Sequence, residues 1–370
     1  MIRSRLTSLV LHTKERNRKI QNSNGVVVIL VLWVLMILTA LAISLGKNAH
    51  IEMSLTKNAL GKLKSKYIAR GGVMYGLNQI ALDSEDTASN QEDTLYYCGI
   101  RKDDKVDVKE LFNDKKLGDG SFTIAYKQKN SLKDKEEIYY GLSDEERRIN
   151  LNELTPQNVN IFIELLKLLD VEEDAARTIA YSVIDWVDQD GNKSDYRYGT
   201  ENDYYKDLKD HYLCKNRPLD VMEELLLVRG MTPGILSKIR PYTTIFPTSG
   251  NLMINFDTAP EIVLQALARA FSEISRISSE DADGLAEKIV SYRQGQDGKS
   301  YTSDDEVFDD TKASLDSSER TLLQMINQFR TKRSNYFRIQ AEGKDANGIK
   351  TNIETIVSRA SYAILSWHRY

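Results

Sequence analysis

The residues best suited to chemistry lie in an acidic, glycine-containing loop at positions 185–210, which reads DWVDQDGNKSDYRYGTENDYYKDLKD. Carboxylate and amide oxygens on a flexible loop are the ligands that Ca²⁺ prefers. The loop is not an EF-hand, because Trp186 and Arg197 stand where that motif needs its first and its last, bidentate carboxylate. We therefore predict a Ca²⁺ site of another kind; the alternative is a solvated acidic loop without an ion. The candidate ligands are Asp188, Asp190, Asn192, Glu201 and Asp203.

No group of residues in the sequence predicts catalysis. The tripeptide at 298–300 (GKS) resembles the end of a phosphate-binding loop, but that motif needs a glycine at the position of Arg293. The sequence also lacks a nucleophile elbow and a dinucleotide-binding fingerprint. The histidines are scattered, and none has a Cys or His partner at metal-ligand spacing: they are His12, His50, His211 and His368. We predict that the protein is not an enzyme.

The two cysteines, Cys98 and Cys214, are candidates for one disulfide if the soluble part of the chain lies in an oxidising compartment. The alternative is two unpaired thiols. Sequence alone does not establish whether their Cα atoms come within bridging distance.

A helical region at 149–330 must position the acidic loop. It contains an imperfect repeat, whose copies open with INLNELTP at residue 149 and INFDTAP at residue 254. In each copy a polar stretch leads to a proline, which is a helix-start signal, and then to two helices. A further helix–turn–helix is predicted at 221–239, and such hairpins resemble helix-hairpin-helix modules. The helices predicted for the two copies are 159–169, 173–186, 262–271 and 283–292.

Helix-hairpin-helix modules often bind the DNA backbone through a glycine-containing hairpin and nearby basic residues. Here Gly230 adjoins Arg229, and Lys238 and Arg240 follow. The surrounding sequence is acidic, however, and the chain has a net charge of −4 and a pI near 5.8. Phosphate binding needs local positive potential, so we predict a structural or protein-contact role for the hairpin, with DNA binding as the alternative.

The only long apolar run, VVVILVLWVLMILTALAISL, occupies residues 26–45. A stretch of this length at about 1.5 Å per residue covers the ~30 Å hydrocarbon core of a bilayer. A short basic leader precedes it, so we expect the leader in the cytoplasm and the rest of the chain exported. Beyond the run, apolar residues recur every four positions to about Leu82, which predicts one helix that leaves the membrane and becomes amphipathic. The simplest interpretation is a signal anchor.

Strand-like segments lie on both sides of the helical region in sequence. This order predicts a single sheet whose halves are separated by an inserted helical domain, and hence an α+β fold. A hairpin loop is predicted at 343–348 (GKDANG). The predicted strands are 94–100, 121–128, 137–140, 336–342, 350–359 and 362–367.

Several stretches, in order along nearly the whole chain, resemble the minor pseudopilin K family of bacterial type II secretion systems, also called general secretion pathway protein K. The leader ending at Gly25 and the apolar run after it resemble a class III prepilin signal. IEMSLTKNALGKLKSKYIARGGV resembles the family's extended N-terminal helix, and IDWVDQDG and ENDYYKDL resemble its Asp-Trp and acidic Tyr-Tyr loop. NRPLDVMEELLLVRGMT is similar to its most recognisable stretch, and AILSWHRY to its closing strand.

The resemblance implies a pilin-like fold, in which a long N-terminal helix lies on an antiparallel sheet. It also implies a large inserted all-helical domain with helix-hairpin-helix-like repeats. The implied domains are a cleaved leader at 1–25, an N-terminal helix at 26–82 with its membrane span at 26–45, a first part of the β domain at 83–148, the inserted domain at 149–330, and the C-terminal strands at 331–370.

The resemblance further implies processing and a position in the fibre. Prepilin peptidase would cut after Gly25 on the cytoplasmic side, and the new N-terminal residue, Val26, would be methylated. Most pilins carry Glu as the fifth mature residue, where it neutralises the N-terminal amine of an adjacent subunit. The fifth residue here is Leu30. Because an unpaired charge is costly in a membrane-like core, the resemblance implies a subunit at the tip.

The implied function is a minor pseudopilin that nucleates assembly with other minor pseudopilins (types I, J and H) and caps the fibre for export of folded proteins. Prepilin peptidase and inner-membrane components of the secretion machinery would be further partners, without nucleic acid. The chain would cross the inner membrane once, with its C-terminal domain in the periplasm. The resemblance also implies Ca²⁺ in the inserted domain, although its ligands do not transfer residue by residue. The alternatives are a membrane-anchored helix-hairpin-helix DNA-binding protein and an envelope-anchored peptidase or lipase.

Overall fold

The N-terminal part of the chain forms one long helix, α1 (Arg3–Asp86). The structure, a computed structural model, describes residues 3–86, 108–130, 135–248, 250–296, 298 and 305–370. Residues 1–63 and 64–370 form two compact units. The helix was predicted to begin at Val26, but it continues through Gly25 into the leader, because no proline interrupts the sequence and a single helical glycine costs only about 1 kcal/mol.

The helices and strands of the described residues are numbered in chain order. After α1 the helices are α2 (Val108–Phe112), α3 (Val159–Leu168), α4 (Glu173–Val187), α5 (Asn202–Lys206), α6 (Pro233–Ile239), α7 (Glu261–Ser275), α8 (Ser279–Arg293) and α9 (Ser317–Ile326). The strands are β1 (Lys115–Leu117), β2 (Gly120–Asn130), β3 (Lys135–Tyr140), β4 (Ser143–Asp144), β5 (Ile149–Asn150), β6 (Thr243–Thr244), β7 (Ile254–Asn255), β8 (Arg330–Thr331), β9 (Tyr336–Lys344), β10 (Lys350–Ser358) and β11 (Ile364–Arg369).

Seven of these strands form an antiparallel sheet in the order β1-β2-β9-β10-β11, with β3 on β2 and β4 on β9. Strand β2 has three partners, because its first half pairs with both β1 and β9 and its second half pairs with β3. Strands from both sides of the helical region therefore share one sheet, which confirms the predicted α+β organisation. The predicted strand at 94–100 lies outside the described residues.

The second half of α1 packs on this sheet. Ile68, Val73 and Ile80 are buried in a core shared with strand residues such as Phe337 and Ile339. Glycines allow the close approach: a Cβ on Gly343 of β9 would overlap backbone atoms of Ser65 and Ala69. The helix is uninterrupted at Gly71 and Gly72, where added Cβ atoms would meet Leu117 and Phe122, so this pair is a site of close packing.

The inserted region contains the larger core. Helices α3, α4, α7 and α8 confirm the four predicted helices of the repeat, and α7 and α8 begin earlier than predicted. The helix predicted at 221–229 was wrong in type, because residues Met222–Leu227 form a short 3₁₀ helix before Gly230. Sequence analysis missed α9, although Asp316 and Glu319 form a capping box at its start.

Each copy of the repeat is closed by a short parallel strand pair. The opening Ile-Asn strand β5 pairs with β6, and the opening Ile-Asn strand β7 pairs with β8. The first pair thus encloses residues 149–244, including the hairpin predicted to lie between the copies, and the second pair encloses residues 254–331. Each pairing brings the two ends of its segment together.

A buried polar junction joins the inserted region to the sheet. The Oδ2 atom of Asp144 accepts hydrogen bonds from the side chains of Ser334 (2.7 Å), Thr258 (2.6 Å) and Asn255 (3.1 Å). Next to it, the buried carboxylate of Glu145 accepts from Arg338 of β9 (2.7 Å). The inserted region is therefore joined by buried polar contacts to the sheet, within the compact unit at 64–370.

Candidate functional sites in the N-terminal helix and the acidic loop

The predicted processing site lies on an exposed stretch of α1. Val26 and Leu30 are 63% and 62% exposed, and the residues from Val26 to Leu38 all leave their side chains uncovered. Among the described residues, one helix segment, Gly25–Asp83, is long and apolar enough to cross a membrane. The chain therefore carries one N-terminal apolar helix that fits a membrane anchor. From Arg3 onward the leader, Gly25 and Val26 form one continuous helix with this segment.

Asp185, at the end of α4, organises the acidic loop. Its carboxylate accepts hydrogen bonds from the backbone N–H groups of Ser194 (2.7 Å) and Thr200. A Cβ on Gly199 would lie 2.6 Å from Asp185 Oδ2, so glycine is needed at this close approach. Burial raises the pKa of Asp185, while the hydrogen bonds from Ser194 and Thr200 oppose this shift. The first carboxylate of the predicted loop thus has a structural role.

Three buried oxygen atoms in and beside the loop accept no hydrogen bond. They are Asp188 Oδ1, Glu201 Oε1 and Asn216 Oδ1. Burial, reinforced by the charges of Asp190 and Asp185, raises the pKa of Asp188 to about 6. Burial also raises the pKa of Glu201 to about 7, and the charges of Asp185, Asp188 and Asp190 add to the effect. Buried acceptors without a partner cost about 1–3 kcal/mol each, and more when charged, so a cation bound here would relieve several penalties together.

The other predicted ligands make different contacts. Asp203 is exposed and accepts from Lys193 Nζ at 2.9 Å, which lowers the pKa of the carboxyl group. Asn192 is exposed, and its backbone N–H donates to Asp190 Oδ1 at 2.7 Å. Within the described residues no group of three or more His, Cys, Asp or Glu side chains is placed to hold a metal ion. A site here must therefore combine carboxylates with amide oxygens.

Asn216 was missed by the sequence analysis. It adopts a left-handed backbone conformation (φ 49°), which Asn tolerates better than most residues. Its Nδ2 donates to the backbone carbonyl of Asp190 at 2.5 Å, which fixes the side chain against the loop. The available signal was its position at the start of NRPLDVMEELLLVRGMT. With it, the loop offers a mixed set of carboxylate and amide oxygens of the kind that suits Ca²⁺.

Cys214 is buried, and it has no disulfide partner among the described residues. Its Sγ donates to the backbone carbonyl of Asp185 at 3.1 Å, and burial raises its pKa to about 12. Cys98 lies outside the described residues, so its predicted disulfide with Cys214 stays a prediction.

The basic residues of the central hairpin are engaged within the protein. Arg229 donates to the hydroxyl of Thr200 (3.2 Å), and Lys238 donates to a backbone carbonyl (2.7 Å). Arg240 forms an ion pair with Glu223 (2.6 Å). These contacts give no support to the DNA-binding alternative, because the cations that would bind phosphate already have partners.

The region around the acidic loop is similar to a known protein family. Residues 147–248 match the family model "Type II secretion system (T2SS), protein K". The type II secretion system protein K of Aeromonas hydrophila is 34% identical over 106 residues, which are 29% of this chain and 31% of the relative. That of Pectobacterium carotovorum is 32% identical over 117 residues, 32% of this chain and 35% of the relative. In these alignments the chain spans about a third of the relatives' length.

Two longer matches extend the similarity. The type II secretion system protein K of Pseudomonas aeruginosa is 23% identical over 284 residues, 75% of this chain and 74% of the relative. The crystal structure of the GspK-GspI-GspJ complex from enterotoxigenic Escherichia coli has a chain that matches with a TM-score of 0.58 and 18% identity, over 85% of this chain and 99% of that chain. The predicted resemblance to type II secretion system protein K is thereby confirmed, and this chain shares the fold of the matching chain in that complex.

Proposed function

We propose that this chain is a minor pseudopilin that takes its place at the tip of a type II secretion pseudopilus. The observation that carries the proposal is the construction of α1. One end is apolar and uncovered, and the other end packs on an antiparallel sheet that carries a large helical insertion. Such a helix suits a subunit that leaves a membrane and packs beside the helices of related subunits. The family match in the inserted region supports the same role.

The tip position rests on two features. Leu30 supplies no carboxylate to neutralise the N-terminal amine of a neighbour, and an unpaired charge in an apolar fibre core is costly. The inserted region adds bulk beside the sheet, which would hinder stacking of a further subunit. A subunit that ends the fibre escapes both restrictions. It would nucleate assembly with minor pseudopilins of types I, J and H, in line with the GspK-GspI-GspJ composition of the solved relative.

Processing supplies the first test. We expect prepilin peptidase to cut after Gly25 and the new N-terminal Val26 to be methylated. Mass spectrometry of the mature protein, purified from the membrane of a strain with an active secretion system, should show a chain that begins at methylated Val26. A chain that retains its leader in such a strain would contradict the pseudopilin assignment. The mature protein should fractionate with the inner membrane, and protease should reach its C-terminal domain only from the periplasmic side.

Partner binding supplies the second test. The mature chain, co-expressed with minor pseudopilins of types I, J and H, should co-purify with them in detergent. A matched gel shift with duplex DNA at physiological salt should show no complex. Stable DNA binding without any pseudopilin complex would favour the membrane-anchored DNA-binding alternative and refute the proposal.

We also propose that the acidic loop binds Ca²⁺. The residues that would hold it are Asp188, Glu201 and Asn216, with Asp190 adjoining. The support comes from their three buried oxygens, which lack hydrogen-bond donors. The bound ion would supply positive charge that neutralises the carboxylates and joins the two ends of the loop. No catalytic step is assigned to it.

Calorimetry of the full chain in detergent should detect Ca²⁺ binding that weakens when Asp188→Asn and Glu201→Gln are introduced. Asp203→Asn decides whether that residue, whose carboxylate pairs with Lys193, belongs to the ligand set. Asp210→Asn removes an exposed carboxylate of the same loop and serves as the matched control. Equal Ca²⁺ affinity in all four variants would contradict a site at the orphaned oxygens.

The two halves of the inserted region are, in this proposal, diverged copies of one hairpin unit that has kept a structural role. The support is their common closure, because each begins with an Ile-Asn strand paired in parallel with its last strand. The engagement of Arg229 and Arg240 within the protein fits such a role better than phosphate binding.

A further inference from the structure

A second buried acidic site lies away from the acidic loop, in a cavity of about 190 Å³ between the sheet and the inserted region. Its wall includes Glu146 from the entry into the inserted region, Glu153 from the first copy, Asn251 from the link between the copies, and Tyr336 from β9. The cavity therefore touches three parts of the folded unit that are distant in sequence.

Glu153 is the first anomaly in this cavity. The residue is only 7% exposed, and its Oε1 atom is buried without a hydrogen-bond partner. The opposing wall approaches closely, since a Cβ on Gly250 (φ +149°) would lie 2.8 Å from that oxygen. A buried carboxylate oxygen without a donor is costly. Its surroundings are thus incomplete unless a proton or a cation joins them.

Glu146 is the second anomaly. Its Oε2 accepts from the backbone N–H of Asn335 at 2.7 Å. Burial and the negative charges of Asp144 and Glu153 raise the pKa of Glu146 to about 8, and burial raises the pKa of Glu153 to about 7. Both residues line the same cavity, and the charge of Glu153 contributes to the raised pKa of Glu146. A cation bound by both groups would displace their protons, so its affinity should rise with pH.

No protein cation in the described residues neutralises this pair. Arg148 also lines the cavity, but its guanidinium donates to Glu145 Oε1 (2.6 Å) and to Ser143 Oγ (3.3 Å) and to neither glutamate of the pair. Neither Glu146 nor Glu153 forms an ion pair with a described residue. The cavity thus combines two carboxyl groups with a volume of about 190 Å³, which is room for several waters.

We propose that this cavity binds a hard divalent cation through the carboxylates of Glu146 and Glu153, with water completing the coordination. Two carboxylates with several retained waters are an arrangement that Mg²⁺ and Ca²⁺ both accept in proteins. The side chain of Asn251 adds an amide to the same wall. A cation here would connect the entry of the inserted region with the link between its copies, and would hold both against β9. The inference does not depend on a role in secretion.

The test uses the full chain in detergent, stripped of metal with a chelator, and titrated separately with CaCl₂ and MgCl₂. The background carries Asp188→Asn and Glu201→Gln, so that the acidic loop does not contribute. We expect Glu153→Gln, and separately Glu146→Gln, to weaken binding of the preferred cation at least tenfold. Glu280→Gln, an exposed glutamate on α8, should leave the affinity unchanged. Unchanged affinity in both cavity variants would overturn the proposal.

A measurement on the unmutated chain covers the case in which a variant fails to fold. Hydrogen exchange, followed by mass spectrometry, should slow in peptides that cover residues 146–153 and 250–253 when the cation is added. If exchange in both segments is the same with and without cation, the cavity does not bind it. If Glu153→Gln then stabilises the protein at neutral pH while cation has no effect, the carboxyl group carries a proton instead, which also overturns the proposal.

Discussion

Removal of the Asp185 carboxylate should open the acidic loop while leaving the rest of the protein folded. This side chain accepts two backbone N–H groups from the far end of the loop, those of Ser194 and Thr200. Hydrogen bonds to a charged group contribute about 1.5–3 kcal/mol each, so the gross loss in Asp185→Ala is about 3–6 kcal/mol. Burial of the carboxylate opposes its charged form and offsets part of this gain. We therefore expect a net loss of about 2–4 kcal/mol for the loop.

The assay is hydrogen exchange of the full chain in detergent and chelator, because a chain of this size with separate units need not unfold in one step. Local opening that becomes easier by about 2–4 kcal/mol accelerates exchange roughly 30- to 900-fold. This change should appear in peptides that contain the amides of Ser194 and Thr200, while peptides from β9 and β10 should exchange as before.

Asp210→Ala is the control, because Asp210 is exposed and belongs to the same acidic stretch. If Asp185→Ala exchanges within threefold of Asp210→Ala in the peptides around Ser194 and Thr200, the two hydrogen bonds do not hold the loop. The reasoning from buried charge-assisted hydrogen bonds would then fail for this site.

Two further predictions concern the sheet. Gly343→Ala should lower the melting temperature of the full chain, because the added Cβ would overlap the backbone of α1 and overpacking typically costs about 1–3 kcal/mol. Gly284→Ala in α8 is the control: its Cβ would make only an ordinary van der Waals contact, so the variant should be neutral or stabilising. The pKa of Glu145 is lowered to about 2 by Arg148 and Arg338 despite its burial, so its contribution to stability is complete above its unfolded pKa of about 4.5 and is lost as the pH falls toward 2. Denaturant unfolding measured between pH 5 and pH 2 should show this loss of stability. Arg338→Met should reduce the change in unfolding free energy over that pH range. An equal pH dependence in the variant and the unmutated chain would contradict the prediction.

The secondary structure was predictable where a local signal was complete. Helix α3 follows Pro156 in a polar stretch, and strands β9 and β10 flank a hairpin loop of turn residues, so all three were placed within a few residues. The segment at Met222–Leu227 carries a helix-like apolar pattern, but the chain has only a few residues before Gly230 and forms a 3₁₀ turn. The capping box of α9 is present in the sequence, but the helix was missed because the predicted helix starts relied on prolines, and α9 has none.

The sequence predicted the kinds of residue in the candidate cation site, but only some of the particular residues. Loop position and residue type pointed to Asp188 and Glu201, and the structure leaves an oxygen of each without a donor. Asp203 has the same chemistry, yet α5 directs it toward Lys193. Asn216 depends on a left-handed turn, which the residue type permits but does not require. Which oxygen is orphaned depends on tertiary contacts, and no local pattern encodes those.

The buried junction explains how a chain with a single large antiparallel sheet can carry so large an insertion. Asp144 and Ser334 stand on either side of the inserted region, 190 residues apart in sequence, and their side chains share a hydrogen bond of 2.7 Å. The backbone carbonyl of Glu146 accepts from Asn255 at 2.8 Å, so the start of the second copy is joined to the entry of the first. Entry, link and exit therefore meet at one place on the sheet, and β4 and β9 can pair as if the insertion were a surface loop. The buried apolar core between α1 and the sheet is built from residues outside 149–330, so the insertion interrupts the sheet in sequence without contributing to this core.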